Sequence, residues 1–512
     1  MKIINGFILR RKCIFLSAFI IMLCCNKLIA QNKPNETDSN IKIEVHLVGI
    51  ENIDTVTLFF WPHVLSEIVD INRYMPHLEK VALLNKQGVV GFELSDIHSP
   101  GYLSVSLRKD SWFKLPLYVM DKYLAFPGDS ITIKISKNSR YTDTTDSNIL
   151  KYNIGFAGRG ATKYQCRFAA DRKAFPDRGA IALLNNKRGF NPDNQWDRSL
   201  SRSLEVINSY KKYLAPFAYE VLKADFIGKF QCKKYSEFHL DWIINEKDSL
   251  LLKRLTKIYR KGLMNTYTGG VQNKAAVFSN YYASYLFDKA RSALAVEGIP
   301  RDSGYYYLKK EYGGELRDKL LTIFLLRWYK YFNSLQPELD NALSLVKTPY
   351  CLNQLEELNN ALARGKPAYN FTLPNISGKM VSLDQFKGKV VFIDFWFTGC
   401  TSCVGYYYYT VSKVEKQLED NSDVVFISIS VDGLKKTWIN SVHAGKITSP
   451  TAPNVINLYA GSEGEVIKQY KITGYPMPLL IDKDGKIFRK SSQELGSKDT
   501  LTQSIKEALK KE

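Results

Sequence analysis

Two cysteines, Cys400 and Cys403, lie in the segment "DFWFTGCTSCVGYYYY" (394–409) and hold the most reactive chemistry in the chain. The apolar run "VVFIDFWF" ahead of them predicts a buried strand, and "CVGYYYYTVSKVEKQLED" predicts a helix. The pair therefore stands where a helix begins. One helical turn brings two sulfurs within bonding distance. The helix start also offers free N–H groups and partial positive charge, which stabilise a thiolate and lower its pKa below about 8.5. Cys400 is thus expected to be the exposed nucleophile and Cys403 the buried resolving thiol. Exchange would run through a mixed disulfide on Cys400 that Cys403 releases. Zinc would need a second Cys/His pair. The only histidine after residue 360 is His443, and no cysteine outside the pair follows Cys351, so no metal is expected. A permanent structural disulfide is the other reading of the pair.

The remaining cysteines speak to compartment. "MKIINGFILRRK" is a basic leader, "CIFLSAFIIMLCC" a thirteen-residue apolar run, and "NKLIA" ends on a small residue. This is the pattern of a secretory signal peptide over residues 1–30, cut after Ala30. The run falls short of the roughly 20 residues that span a bilayer. Lipid anchoring at Cys24 or Cys25 is the alternative, against which stand the bulky Ile21, Met22 and Leu23. The mature protein is expected in the periplasm or cell envelope. Cys166, Cys232 and Cys351 are then too few for a disulfide-stapled scaffold and are expected as buried small hydrophobes. Their pairing is left open.

With 512 residues the chain exceeds what one core usually serves. Its formal charge is +20, of which Lys2, Arg10, Arg11, Lys12 and Lys27 supply five, leaving 20 − 5 = +15. No dense basic run with interleaved aromatics is present, so nucleic acid is not an expected partner. The fold class expected is multidomain α+β. Short alternating strands from 41 to 137 predict a small antiparallel β-sandwich. The stretch "KYLAFPGDSITIKIS" places a Pro-Gly-Asp turn between two of them. A polar linker follows at 138–148. From 150 to 360 the apolar period becomes helical, with Pro216 opening a helix and "KAAVFSNYYASYLFDKARSALAV" forming another. From 365 to 512, continuous apolar strands alternate with helices, which implies a sheet covered on both faces. "PLLIDKDGKIFRK" reads as a hairpin, and the last helix is capped by Ser497 or Asp499.

The segment 365–512 resembles the thioredoxin-fold domain of TlpA/ResA-like thiol:disulfide oxidoreductases. The likeness rests on "FTLPNISGKMVSLDQFKGKVVFIDFW", "CTSC", "FISISVD" and "YKITGYPMPLLIDKDGKI", in that order. Residues 41–137 more weakly resemble a β-rich module that precedes such domains. The family resemblance implies an α/β thioredoxin fold and a redox-active disulfide, Cys400–Cys403, with no other cofactor. It implies that Asp394, six residues before Cys400, is a buried carboxyl of raised pKa that takes the proton of Cys403. It implies that Pro476 is a cis-proline presenting the Tyr475 backbone to a client. Trp396 would pack beside the active helix, and Trp396, Tyr475, Thr401 and Ser402 would line the substrate side. The Thr401-Ser402 dipeptide departs from the Gly-Pro of thioredoxin, so the direction of exchange is not read from it.

Val404, Tyr407, Val411, Val414 and Leu418 share a helical face. Tyr407, with Tyr408 beside it, is therefore expected in the core, and Tyr406 and Tyr409 toward the surface. The expected activity is reduction of envelope disulfides, with cytochrome c maturation as one setting. Its partners would be disulfide-bearing client proteins and a membrane electron donor. Two other readings stay open: an envelope ligand-binding or redox-sensing protein, and a peroxiredoxin-like peroxidase.

Overall fold

Alternation decides the first third. In β1 (Ile41–Val48), Ile41, Ile43, Val45 and Leu47 are buried while Lys42, Glu44 and Val48 face out. Six more strands follow: β2 (Thr55–Trp61), β3 (Leu78–Leu83), β4 (Val89–Leu94), β5 (Gly101–Leu107), β6 (Tyr118–Ala125) and β7 (Ser130–Lys137). An eighth, β8 (Tyr152–Arg159), lies past the expected limit of 137. Its two glycines, Gly155 and Gly158, weaken the alternation that would have marked it. The strands form two sheets, ordered β4-β1-β7-β8 and β3-β2-β5-β6. Ile43, Val45, Leu58, Phe60, Leu103, Val105, Ile131 and Ile133 share one buried cluster between them.

The pairing is not wholly antiparallel, because β1 runs parallel to β7. The Pro127–Asp129 turn explains this. It does not close a hairpin but carries the chain from β6 in one sheet to β7 in the other. Asp129 holds that corner, accepting from the Phe126 N–H at 2.9 Å, Tyr164 Oη at 3.0 Å and Lys163 Nζ at 2.5 Å.

The structure is a computed structural model. It describes residues 39–511 apart from 52, 67–74, 108–117, 140–150, 175–189, 191–194, 264–269, 333–334, 463 and 473. The leader expectations, residues 1–30 with Cys24, Cys25 and Ala30, lie outside the described residues, as does most of the 138–148 linker. Among the described residues no helix is long and apolar enough to cross a membrane.

The middle third is helical. Its main helices are α1 (Ala161–Ala174), α2 (Gln195–Tyr210), α3 (Pro216–Ile244), α4 (Asn280–Val296), α5 (Gly314–Trp328) and α6 (Pro349–Leu362). Pro216 occupies the first turn of α3, where its missing N–H costs nothing. The single helix expected over 274–296 is instead two, Asn273–Phe278 and α4, broken at Ser279. Ser279 Oγ caps α4 by accepting from the Tyr282 N–H at 3.1 Å, and donates to Asp225 at 2.6 Å. Helices α3 and α4 touch backbone to backbone. A Cβ on Gly228 would come within 2.4 Å of the Tyr282 nitrogen.

The last third contains a hairpin, β9 (Thr372–Pro374) with β10 (Met380–Ser382), and a five-stranded sheet. Its strands are β11 (Val390–Trp396), β12 (Val424–Ser430), β13 (Val455–Tyr459), β14 (Met477–Ile481) and β15 (Ile487–Arg489), in the order β13-β12-β11-β14-β15. β11, β12 and β13 are parallel, while β14 and β15 are antiparallel to their neighbours. β11 is apolar almost throughout because both of its faces are covered. Val390 and Phe392 pack with Leu501, Ile505 and Ala508 of the last helix, α10 (Lys498–Lys510). Val391, Ile393 and Phe395 face the other way, into a cluster that continues through Leu355, Leu358 and Leu362 of α6. Ser497 caps α10 in a reciprocal capping box with Thr500.

Candidate active site

β11 delivers the chain to the dithiol. Thr398, just past the strand, is pinned to the exit of β12: its N–H and Oγ1 both donate to the Asp432 carboxylate at 2.8 Å. Gly399 then adopts φ +91°, a left-handed turn that a side chain would strain. Cys400 is the N-cap of helix α7 (Thr401–Tyr406), its sulfur accepting from the Cys403 N–H at 3.1 Å. The two cysteines form a disulfide with Cα atoms 5.2 Å apart. Cys403 is fully buried, but Cys400 is only 6% exposed, not the open thiol expected from sequence. Both pack with Trp396, Trp438, Val442 and Ile447, the last three fixed by α9 (Lys435–Ala444) and its exit. Thr401 and Ser402 between them are exposed.

Trp396 corrects a second expectation. It lies beside the active helix but is 0% exposed and donates its indole N–H to Ser428 Oγ at 2.6 Å. A side chain held inside the sheet has no face left for a substrate. Tyr475 is half-buried and sits against the same cluster, its ring edge-on to Phe397 at 5.4 Å. The Tyr475–Pro476 peptide is cis. These two residues line a cleft of about 370 Å³ with Tyr406, Pro478 and Thr500. Tyr331 from the helical third also lines it, and Lys330 Nζ donates to the Gly474 carbonyl at 3.2 Å.

Asp394 occupies the middle of β11, paired in register with Pro478 of β14. It is buried, and its Oδ1 has no hydrogen-bond partner. Burial pushes its pKa up to about 8, and the nearby Glu415 adds to the rise. Glu415, on helix α8 (Ser412–Gln417), is itself buried and its pKa is raised to about 7, mainly by burial. Sequence reading missed it. A glutamate in a lysine-rich helix end reads as solvated, and only its place one residue after the apolar Val414 hinted otherwise.

The tyrosines divide differently from the helical-wheel expectation. Tyr406 is drawn inward, donating its hydroxyl to the Leu495 carbonyl at 2.6 Å. Tyr407 is half-buried, while Tyr408 and Tyr409 are 60% and 74% exposed. The cause is a π turn over Tyr407–Val411, which changes the angular step along the helix.

A mixed sheet of this order, with a disulfide-bonded Cys-x-x-Cys opening the helix after its central strand, defines a thioredoxin-fold thiol-disulfide oxidoreductase domain. A model of the Redoxin family matches residues 363–505. Thiol-disulfide oxidoreductase ResA of Bacillus thuringiensis subsp. konkukian is 33% identical over 147 residues, which are 29% of this chain and 77% of the relative. ResA of Bacillus subtilis is 25% identical over 129 residues, 25% of this chain and 67% of the relative. Among solved structures, the thioredoxin domain of a thiol-disulfide oxidoreductase from Bacteroides vulgatus is 27% identical. It covers 29% of this chain and 99% of its own, with a TM-score of 0.25. The chain belongs to the ResA family of thiol-disulfide oxidoreductases, through its last third.

Proposed function

We propose that the protein is exported to the cell envelope and reduces disulfides of client proteins there, apocytochrome c cysteines being one class of client. The observation that carries this reading is a disulfide at a helix start on a strand whose buried carboxyl, Asp394, has an oxygen without a partner.

In the reduced protein, the Cys400 thiolate attacks one client sulfur. The client S–S bond breaks, a Cys400–client bond forms, and the other client sulfur leaves as a thiolate that takes a proton. Asp394, ionised at that moment, accepts the Cys403 proton. Cys403 then attacks Cys400 Sγ, closing the ring and expelling the second client sulfur. Two electrons pass from the protein dithiol to the client. A membrane electron donor returns two electrons and two protons to Cys400 and Cys403. Pro476 and the Tyr475 backbone would hold the client beside the sulfurs, with Thr401 and Ser402 on its exposed side. The disulfide is the only cofactor this cycle needs, and no metal or nucleic acid takes part.

The test is insulin reduction by the purified protein with a chemical reductant as electron source. Cys400→Ser and Cys403→Ser should each abolish turnover, and Cys403→Ser should accumulate mixed disulfides. Undiminished activity in both variants would remove the proposal.

A further inference from the structure

The helical third encloses a cavity of about 210 Å³, far from the dithiol in sequence. Its apolar wall comes from Trp242 of α3, Phe287 and Leu294 of α4, and Phe324 and Trp328 of α5. Cavities of about 150 Å³ already accept a benzene ring, so this one has room for a ring or a medium-length alkyl chain. Its polar features are few, as in built ligand sites.

His239 of α3 lines the cavity and is 4% exposed, yet neither Nδ1 nor Nε2 has a hydrogen-bond partner. A buried imidazole ordinarily satisfies both nitrogens. Burial and the neighbouring Arg291 keep it uncharged, so it offers one unused N–H donor and one unused acceptor. The charges facing His239 are Arg291, Asp288, Arg301 and Arg327. Asp288 is already occupied, accepting from Arg291 at 2.7 Å, Ser236 at 2.5 Å and Cys232 at 3.3 Å. Arg301 lies on the lining and is exposed, and no carboxylate among the described residues pairs with it. Glu246 is the one acid on the lining and is exposed. The balance around the unsatisfied histidine is therefore cationic.

We infer that this cavity binds a small amphipathic anion: an aromatic ring or alkyl chain lodged against Phe287, Leu294 and Trp328, ending in a carboxylate. That carboxylate accepts from the His239 N–H and pairs with the Arg301 guanidinium, whose planar fork suits it.

Octanoate is the probe, titrated calorimetrically into the purified full chain, with octylammonium and octanamide as charge controls. Octanoate should bind, octylammonium should not, and octanamide should bind more weakly. Arg301→Ala breaks no ion pair among the described residues and should weaken octanoate about tenfold. Ala295→Trp, at a half-buried position on the lining, should abolish binding while circular dichroism and insulin reduction stay as in the parent. If Ala295→Trp unfolds the chain, His239→Phe serves in its place, filling the site without a donor. No heat with octanoate overturns the inference. So does equal binding of the three probes, or binding indifferent to every variant.

Discussion

Asp394→Asn should change the pH dependence of stability in a calculable way. In the folded protein burial raises this carboxyl from its ordinary 3.8 to about 8. Between those values the folded state holds a proton that the unfolded chain has released. The folded state then binds more protons, so stability falls as pH rises and levels off above about 8. Each pH unit is worth about 1.4 kcal/mol. By neutral pH the loss is about 4 kcal/mol, a large part of the roughly 5–15 kcal/mol that holds a domain together. The amide of the variant would have no proton to lose. The stability of the variant minus that of the parent should therefore grow by about 1.4 kcal/mol per unit from weakly acid pH to about 8. Any fixed cost of packing an amide in β11 shifts this difference without changing its slope. Glu415 titrates in both proteins and cancels, apart from its push on Asp394. The assay is equilibrium urea unfolding at several pH values, read by hydrogen-exchange pulses on the β11 peptide so that only this sheet is followed. Parallel curves for the two proteins would refute the reasoning.

Glu415→Gln keeps an acceptor for Tyr407 but removes the charge that helps raise Asp394. The Asp394-linked midpoint in the same urea series should move down, by less than about one pH unit. An upward move would contradict the assignment. Asp225→Ala should cost about 3–5 kcal/mol, because it strips a buried carboxylate from buried cationic and hydroxyl partners. Those partners are Tyr102 Oη, at 2.9 and 3.0 Å from its two oxygens, Ser279 Oγ at 2.6 Å and Arg167 at 3.6 Å. Urea unfolding of the helical third reads this directly, and a change below about 1 kcal/mol would show that the network is not what holds β5 to α3 and α4.

Residues that act through their neighbours in sequence were legible, and those that act through distant partners were not. Cys400 and Cys403 could be placed at a helix start because spacing and the apolar run ahead of them are local facts. Pro216 and Ser497 announce helix starts by their own chemistry. Ser279 did not, because a serine amid apolar residues becomes a helix break only when Asp225, 54 residues away, accepts its hydroxyl. The parallel pairing of β1 with β7 was hidden for a related reason: alternation fixes which face of a strand is buried, not which strand lies beside it. Glu415 and the inward Tyr406 depend on the π turn and on Leu495, neither of which leaves a periodic mark. The His239 cavity draws on α3, α4, α5, the short helix Gly304–Glu311 and the connection before it, so no window of sequence contains it.

Burial alone does not set the pKa of a carboxyl, and three aspartates in this chain show what does. Asp171, Asp225 and Asp394 are all buried. Asp171 lies between Arg167 at 2.8 Å and Lys229 at 2.7 Å, and those cations outweigh burial and hold its pKa below the ordinary value. Asp225 has no cation so close, and burial raises its pKa, but the cations Arg167 and Lys319 and the hydroxyl donors Ser279 and Tyr102 act against the rise. Asp394 has neither cation nor side-chain donor among its causes, only two backbone groups that lower its pKa against burial and a neighbouring carboxyl. A fold that needed a fixed charge on β11 would have placed a cation there, as it did for Asp171. Leaving Oδ1 unanswered lowers stability at neutral pH and yields nothing in packing that Val or Leu would not supply better. What β11 carries instead is a carboxyl whose pKa, raised to about 8, lets it take or release a proton near physiological pH, the property on which the proposed exchange cycle draws.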